Sequence, residues 1–245
     1  MRLISLAVAA ATFTSLVLPF DRSVSRAAEG FSTGLEAALN AGDVDGLSAL
    51  VAPEPLSALK DRLSRFSSEF PDATWRVTPM TPTADGRQTM EVSVQGQRQA
   101  DGLTYRLEAS QRLAVQMEAG RLLNQELLAE QSLLRSGTAA LPITLDIPDA
   151  VLTGSRYDVD VIFDQPLGKA VVAGGLLSLT PDQVEQQISP NMSLEPMGGG
   201  GLFKTVQAPQ RPGVQNWAAM LVHPDGVVTI TKLVKVVSDK RDLPQ

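Results

Sequence analysis

The side chains that could carry nucleophilic or metal chemistry are few in this sequence. The chain has no Cys and one His, His223. This excludes thiolate nucleophiles, thiolate metal sites, disulfides and any site that needs two imidazoles. His223 stands just before Pro224-Asp225-Gly226, a turn sequence, with no nucleophile or second ligand nearby in sequence. We therefore predict a structural role for His223, and neither a metal nor a cofactor.

Carboxylates remain as candidates for acid–base chemistry. Asp43 and Asp45 precede a short helical pattern, where hydrogen bonding to the first backbone N–H groups of a helix accounts for them. Glu126 and Glu130 share a strand register with other polar side chains, which predicts a solvated face. The sequence therefore offers no residue that we would assign to catalysis.

Three glutamines interrupt strand registers that are otherwise apolar. Gln111, Gln125 and Gln131 occupy odd-numbered positions among residues such as Leu113 and Val115. A glutamine that faces a cavity can bind an amide, carbonyl or hydroxyl group, but it cannot exchange a proton at neutral pH. The pattern favours binding over catalysis if they face inward, whereas a twist or bulge would turn them outward.

Phe66, Phe70, Trp75 and Tyr105 are a fair share of the few aromatic residues. Aromatic side chains at such spacing pack in a core, and the same side chains also line binding pockets. Together with the three glutamines they form the predicted ligand-pocket set: Phe66, Phe70, Trp75, Tyr105, Gln111, Gln125 and Gln131.

The chain has 245 residues, with 21 basic and 27 acidic side chains and a net charge of −6. This acidic balance argues against a nucleic-acid partner. A glycine run followed by Lys204 and Thr205 comes close to a phosphate-binding loop, but Phe203 stands where that pattern requires glycine. The surrounding pattern is strand, turn and strand, without the helix whose N-terminus would hold a phosphate.

Residues 1–27 have the pattern of an export signal. Arg2 is followed by the apolar run Leu3–Phe20, and Ser25-Arg26-Ala27 places small residues at a cleavage site. We expect export to a periplasm or a thylakoid lumen. The alternative is an uncleaved segment that anchors the protein to a membrane, because the apolar run is near the lower length limit for a membrane span.

Apolar residues at three- and four-residue spacing predict three helices between about 30 and 70. Thr33-x-x-Glu36 resembles a helix capping box, and Gly42 and Asp43 separate the first two helices. From Trp75 the period changes to two, which predicts long strands with one buried face.

Turn sequences divide this alternating region into a meander. Asp101-Gly102 and Ala119-Gly120 mark the turns, and we predict that residues 121–135 form its last strand, although their pattern would also suit a helix. Ser136–Ala140 has the composition of a linker. The predicted α+β domain covers 30–136.

After the linker, about seven short strands alternate with turn signals over roughly 100 residues, which is typical of an immunoglobulin-like sandwich. We predict these strands near 143–148, 157–164, 169–179, 191–196, 202–208, 214–222 and 227–237. The predicted all-β domain covers 141–237, and the polar residues 238–245 are predicted to fray. The predicted fold class is α+β, with N-terminal helices on a curved antiparallel sheet and then an immunoglobulin-like sandwich.

The stretch LEAALNAGDVDGLSAL at 35–50 has an alanine-rich helix, an Ala-Gly-Asp turn and a leucine-rich second helix. With the helix-then-meander order over 30–136, it resembles the nuclear transport factor two-like, or SnoaL-like, cone domains. The resemblance implies helices that plug a curved sheet around a conical apolar cavity, and pairing of two copies through the sheet. The whole chain is also similar to exported two-domain cyanobacterial proteins.

Members of that family include isomerases and dehydratases as well as binding and assembly domains without chemistry, and fold alone does not decide between them. We expect an exported, non-catalytic protein that holds a small apolar ligand or an envelope protein. One alternative is a cone isomerase or dehydratase that uses a Tyr or a carboxylate as acid or base. The other is a purely structural envelope spacer.

Overall fold

A computed structural model describes residues 22–83, 85–137, 141–165, 170–186, 190–197 and 199–244, with side chains from residue 29 onward. Residues 1–21 of the predicted export signal and residues 138–140 of the predicted linker lie outside the described residues.

Within the described residues, the helices are α1 Arg22–Ala41, α2 Val44–Leu50, α3 Pro53–Glu69 and α4 Pro181–Glu185, with a 3-10 turn at Lys240–Asp242. The strands are β1 Thr74–Met80, β2 Gln88–Ala100, β3 Leu103–Glu118, β4 Arg121–Gly137, β5 Ile143–Asp146, β6 Ala150–Leu152, β7 Arg156–Phe163, β8 Val172–Leu179, β9 Glu195–Met197, β10 Gly201–Gln207, β11 Gly213–His223 and β12 Gly226–Val237.

The described strands form two sheets. The larger has nine strands in the order β1-β2-β3-β4-β12-β11-β8-β9, with β6 paired in parallel to the end of β12. The smaller has three strands in the order β10-β7-β5, paired antiparallel. This arrangement confirms the predicted α+β class, with N-terminal helices against a large antiparallel sheet and a second, small sheet.

The chain forms two compact units. The helix unit contains the described residues up to 98 together with Glu108–Leu128. The β unit contains Gln99–Leu107 and the described residues from 129 onward.

Helices α1 and α2 follow the predicted apolar pattern. The apolar side chains Phe31, Leu35, Ala38 and Leu39, which have the three- and four-residue spacing of one helix face, are buried in α1. Gly42 ends α1 with a φ of +61°, a conformation that glycine adopts at little cost. Asp43 then caps α2, because its Oδ1 accepts hydrogen bonds from the N–H groups of Asp45 at 3.0 Å and Gly46 at 2.9 Å. The predicted capping role of Asp43 is confirmed.

The capping box predicted at Thr33 and Glu36 is wrong. Helix α1 already runs from Arg22, so Thr33 lies inside it and its hydroxyl donates to the carbonyl of Glu29 at 3.0 Å. A hydroxyl in a helix interior bonds back to the preceding turn, because the N–H groups that it would cap are already used by the helix.

The meander has the predicted turns. Asp101 and Gly102 have φ of +53° and +75°, and Ala119 and Gly120 have +49° and +79°. Two successive positive φ values define the tight hairpin turn whose twist matches antiparallel strands. The ambiguous segment 121–135 is a strand, because the second turn folds it back beside β3.

The two sheets of the β unit share one core. Buried side chains from β7 of the small sheet and from β4, β8, β11 and β12 of the large sheet form one cluster, which includes Leu133, Tyr157, Val159, Val161, Val172, Trp217, Leu221, Val228 and Ile230. Each of the seven predicted strands overlaps a strand of this region.

The sequence did not indicate β6 or α4. Pro181-Asp182, one of the turn signals between the predicted strands, is instead the start of α4, with a capping box between Thr180 and Gln183.

Candidate functional site

The aromatic candidates of the helix unit lie together. Phe66 and Phe70 from α3 have ring centroids 5.6 Å apart, and Phe66 lies 5.0 Å from the Trp75 ring on β1. All three are buried. The Arg98 guanidinium lies 5.6 Å from the centre of the Phe70 ring. These contacts join α3 to the sheet, as a packed aromatic core does.

The other candidates are distributed over two long strands. Gln111 on β3 is only 8% exposed and is followed by the buried Leu113 and Val115. Gln125 on β4 is half-buried and belongs to the same unit as the aromatic cluster. Tyr105 and Gln131 are half-buried and belong to the β unit, where Gln131 stands opposite Lys232. The structure thus brings together the three aromatic candidates, and it places Tyr105 and Gln131 in the other unit.

The solvated face predicted for β4 is wrong. Glu130 is only 8% exposed, and it stands opposite the buried Leu233. Glu126 forms a half-buried ion pair with Arg87, which also binds Asp85 at 2.8 Å. Glu130 and Leu233 are direct cross-strand neighbours on one face of the sheet, and both are buried there. Polar residues alternating along a strand therefore did not indicate exposure here.

His223 lies at the predicted hairpin tip. Its Nδ1 accepts a hydrogen bond of 3.1 Å from the N–H of Asp225, and Asp225 Oδ2 lies 3.4 Å from the same nitrogen. Among the residues that the structure describes, no group of three His, Cys, Asp or Glu side chains is arranged to hold a metal ion. No described helix is both long and apolar enough to cross a bilayer.

Strand β1, the last strand of the large sheet, has its outer edge closed by side chains of α1. The Asn40 amide accepts from the N–H of Trp75 and donates to its carbonyl, both at 2.8 Å. Glu36 accepts from the N–H of Val77 at 2.8 Å. These bonds satisfy backbone groups that would otherwise offer a pairing template to another chain. We call this the closed β1 edge. Asn40 and Glu36 were not among the predicted candidates, although their four-residue spacing places them on one helix face.

Strand β10 is an end strand of the small sheet. The hydrogen bonds at its two ends show which of its backbone N–H and C=O groups face β7. The N–H of Phe163 donates to the carbonyl of Gly200 at 2.7 Å, and the N–H of Ala208 donates to the carbonyl of Ser155 at 2.8 Å. Antiparallel pairs alternate between bonded and non-bonded residues. In the register of β10 with β7, the even-numbered residues therefore bond to β7. The N–H and C=O groups of Phe203 and Thr205 point away from the sheet.

The side chains of β10 alternate as the backbone requires. Leu202 and Val206 pack against the core of the β unit. Phe203 lies on the opposite, outer face and is 63% exposed, with its ring beside Gly201. An added Cβ at Gly201 would come within 3.0 Å of that ring and 2.5 Å of a β7 carbonyl, so glycine is required there. We call the outward backbone groups of Phe203 and Thr205, with the Phe203 side chain, the open β10 edge.

Three aspartates share the outer face beside the open β10 edge. Asp160 on β7 pairs with Phe203 on one side and with Asp146 on the other. Asp158 accepts a hydrogen bond of 2.7 Å from the Thr205 hydroxyl. In the described strands of this sheet, the same face also carries the cation Arg156, opposite Gln207. Like charges directly opposite each other, as at Asp146 and Asp160, are unfavourable across antiparallel strands.

The lysine of β10 is held on the inner side. The Lys204 ammonium lies 5.4 Å from the centre of the buried Trp217 ring. The Trp217 indole N–H donates to the Tyr157 hydroxyl at 3.0 Å, and that hydroxyl donates to Gln215 at 2.7 Å. Burial raises the pKa of the Tyr157 phenol above its ordinary value, and the bond from Trp217 opposes the rise. This network joins β7 to β11 behind the open β10 edge.

The comparisons with known proteins concern the β unit. Residues 138–237 match a family described as a domain of unknown function, DUF8623. The matched region contains β10 and the other two strands of the small sheet, β7 and β5. No curated protein matches the chain.

Proposed function

We propose that the protein is an exported, non-catalytic binding or assembly protein that holds a protein partner on its β unit. The open β10 edge supports this proposal, because it combines backbone groups that pair with no other described strand with an exposed phenylalanine. The other strands at the sheet ends differ: β9 has three residues, β5 has four, and β1 is closed by α1. A seven-residue edge without such protection is a surface suited to a partner.

The same proposal includes the finer architecture. The helices of the helix unit against β1 support a cone of the nuclear transport factor two-like type. The shared core of two sheets supports an immunoglobulin-like arrangement of the β unit. The signal pattern at 1–27 supports export. In this proposal the helix unit is the scaffold and the β unit carries the interaction.

A small apolar ligand in the helix unit is the second candidate. Gln111 supports it, because a buried amide beside Leu113 and Val115 can fix the orientation of a ligand. The protein partner is better supported, since Phe66, Phe70 and Trp75 are already in contact with one another.

Native mass spectrometry of the full chain, purified from its own cell, tests the proposal. We expect a stoichiometric partner on the unaltered chain and loss of that partner when Phe203→Ser is combined with Thr205→Pro. Thr33→Ala, on the exposed side of α1, is the matched control and keeps the partner. A chain that carries no partner, or a partner retained by the double variant, would contradict the proposal.

A further inference from the structure

We propose that the open β10 edge binds an extended, basic segment of a partner protein, which adds a fourth strand to the small sheet. This inference rests on the proposed function and names the chemistry of the partner. It is carried by three features of the edge: the direction of its backbone groups, the exposure of Phe203 and the charge of the face beside it.

The backbone determines the shape of the partner. Phe203 and Thr205 present donors and acceptors two residues apart, on the side where no described strand pairs with β10. Only an extended segment has backbone groups at the matching spacing. Such an added strand binds mainly through main-chain hydrogen bonds, and its alternate side chains provide selectivity.

The outer face determines the charge of the partner. Side chains of an added strand that point to this face would lie beside Phe203, and Asp158 and Asp160 stand one strand further in, on β7. Lysine or arginine at alternate positions would place its alkyl stem on the phenylalanine and its charge near the carboxylates.

A second copy of this chain fits the edge less well. Antiparallel pairing of two β10 strands about Lys204 would place two lysines directly opposite each other, and it would bring two acidic faces together. The net charge of −6 adds repulsion between copies. A basic strand has neither disadvantage.

Binding of a fluorescent peptide to the full chain, followed by anisotropy, tests the inference. The probe is a short peptide in which lysine and valine alternate, and the control peptide has glutamate in place of each lysine. We expect the lysine peptide to bind at least about tenfold more tightly than the glutamate peptide, and more weakly as salt is raised. Equal binding of the two peptides would overturn the predicted charge.

Variants separate the three features. Thr205→Pro removes an outward N–H, and Phe203→Ser removes the exposed ring. Asp158→Asn with Asp160→Asn removes the charge on β7, and each of these changes is expected to weaken binding of the lysine peptide about tenfold. Asp182→Asn, which removes an exposed charge on α4, is the matched control and leaves binding unchanged. Wild-type binding by both Thr205→Pro and Phe203→Ser would overturn the edge as the site.

The remaining outcomes separate this inference from the proposed function. Sedimentation that shows a dimer of the full chain, dissociated by Thr205→Pro, would make a second copy the occupant and overturn the basic partner. If the lysine peptide does not bind but the native partner is lost from the double variant, the inference fails and the proposed function stands. If no native partner exists, the proposed function itself fails.

Discussion

Strands β1 and β10 are both seven residues long and both end a sheet, but their outer edges differ. At β1, Asn40 and Glu36 of a neighbouring helix bond to the outward backbone groups of Trp75 and Val77. At β10, the corresponding groups of Phe203 and Thr205 face outward beside an exposed aromatic ring. Among the described residues, side chains thus close one edge and no strand pairs with the other, which is the basis for proposing that β10 binds a partner.

The largest expected effect is on the free energy of unfolding, when proline is introduced on either side of the β10 backbone. Lys204→Pro removes an N–H that points toward β7, where Asp160 Oδ1 accepts it at 3.2 Å, and should cost about 3 kcal/mol or more of unfolding free energy. Thr205→Pro removes an outward N–H and should cost about 2 kcal/mol less, since proline is tolerated on an edge. Urea unfolding of both variants measures the difference. Equal losses of unfolding free energy in the two variants would contradict the outward orientation of the Thr205 N–H.

The next effect concerns the closed β1 edge. Asn40→Ala removes both hydrogen bonds to Trp75 and should lower the free energy of unfolding by about 1–2 kcal/mol. Asn40→Asp keeps an acceptor for the Trp75 N–H but loses the donor. Its free energy of unfolding should therefore lie between those of the wild type and Asn40→Ala. Thr33→Ala on the same helix is the control, with an expected loss of about 0.5 kcal/mol or less. If Asn40→Ala unfolds at the same urea concentration as Thr33→Ala, the side-chain closure of β1 contributes nothing.

These two edges also show what the sequence could and could not predict. The class of fold, the helix faces at Phe31 and Leu35, and the two meander turns follow from local rules of periodicity and turn chemistry. The bonds from Asn40 to Trp75 join residues 35 apart, and nothing local marks them, because both residues fit ordinary helix and strand patterns.

The error at Glu130 has a related cause. Alternation along β4 is a local pattern, whereas Glu130 lies on the same face as the buried Leu233 of β12, a residue far along the chain. The position of β10 at the end of its sheet is also a matter of strand order. The strand, turn and strand pattern around the glycine run could not indicate which described strand would end the small sheet.

A smaller effect tests what holds β10 in place from behind. Tyr157→Phe leaves the buried Trp217 N–H without its acceptor and should cost about 1–2 kcal/mol at neutral pH. Gln215→Ala removes only the acceptor at the other end of the network and should cost less.

The pH dependence of the Tyr157→Phe effect has a defined sign. The phenol has a raised pKa in the folded chain, so its contribution is complete below its ordinary value of about 10 and is lost as pH rises through the folded pKa. The difference in unfolding free energy between the wild type and Tyr157→Phe should therefore become smaller in alkaline solution. Urea unfolding at neutral and alkaline pH measures it, and a difference that widens would contradict the assignment.

Amide hydrogen exchange along β10 tests the central claim most directly. In the free full chain, the amides of Phe203 and Thr205 should exchange rapidly while those of Leu202 and Lys204 are protected by β7. Saturation with the lysine–valine peptide should protect Phe203 and Thr205 without changing the other two. Protection of Phe203 and Thr205 already in the free chain, or continued rapid exchange with the peptide bound, would contradict an open edge that binds by accepting a strand.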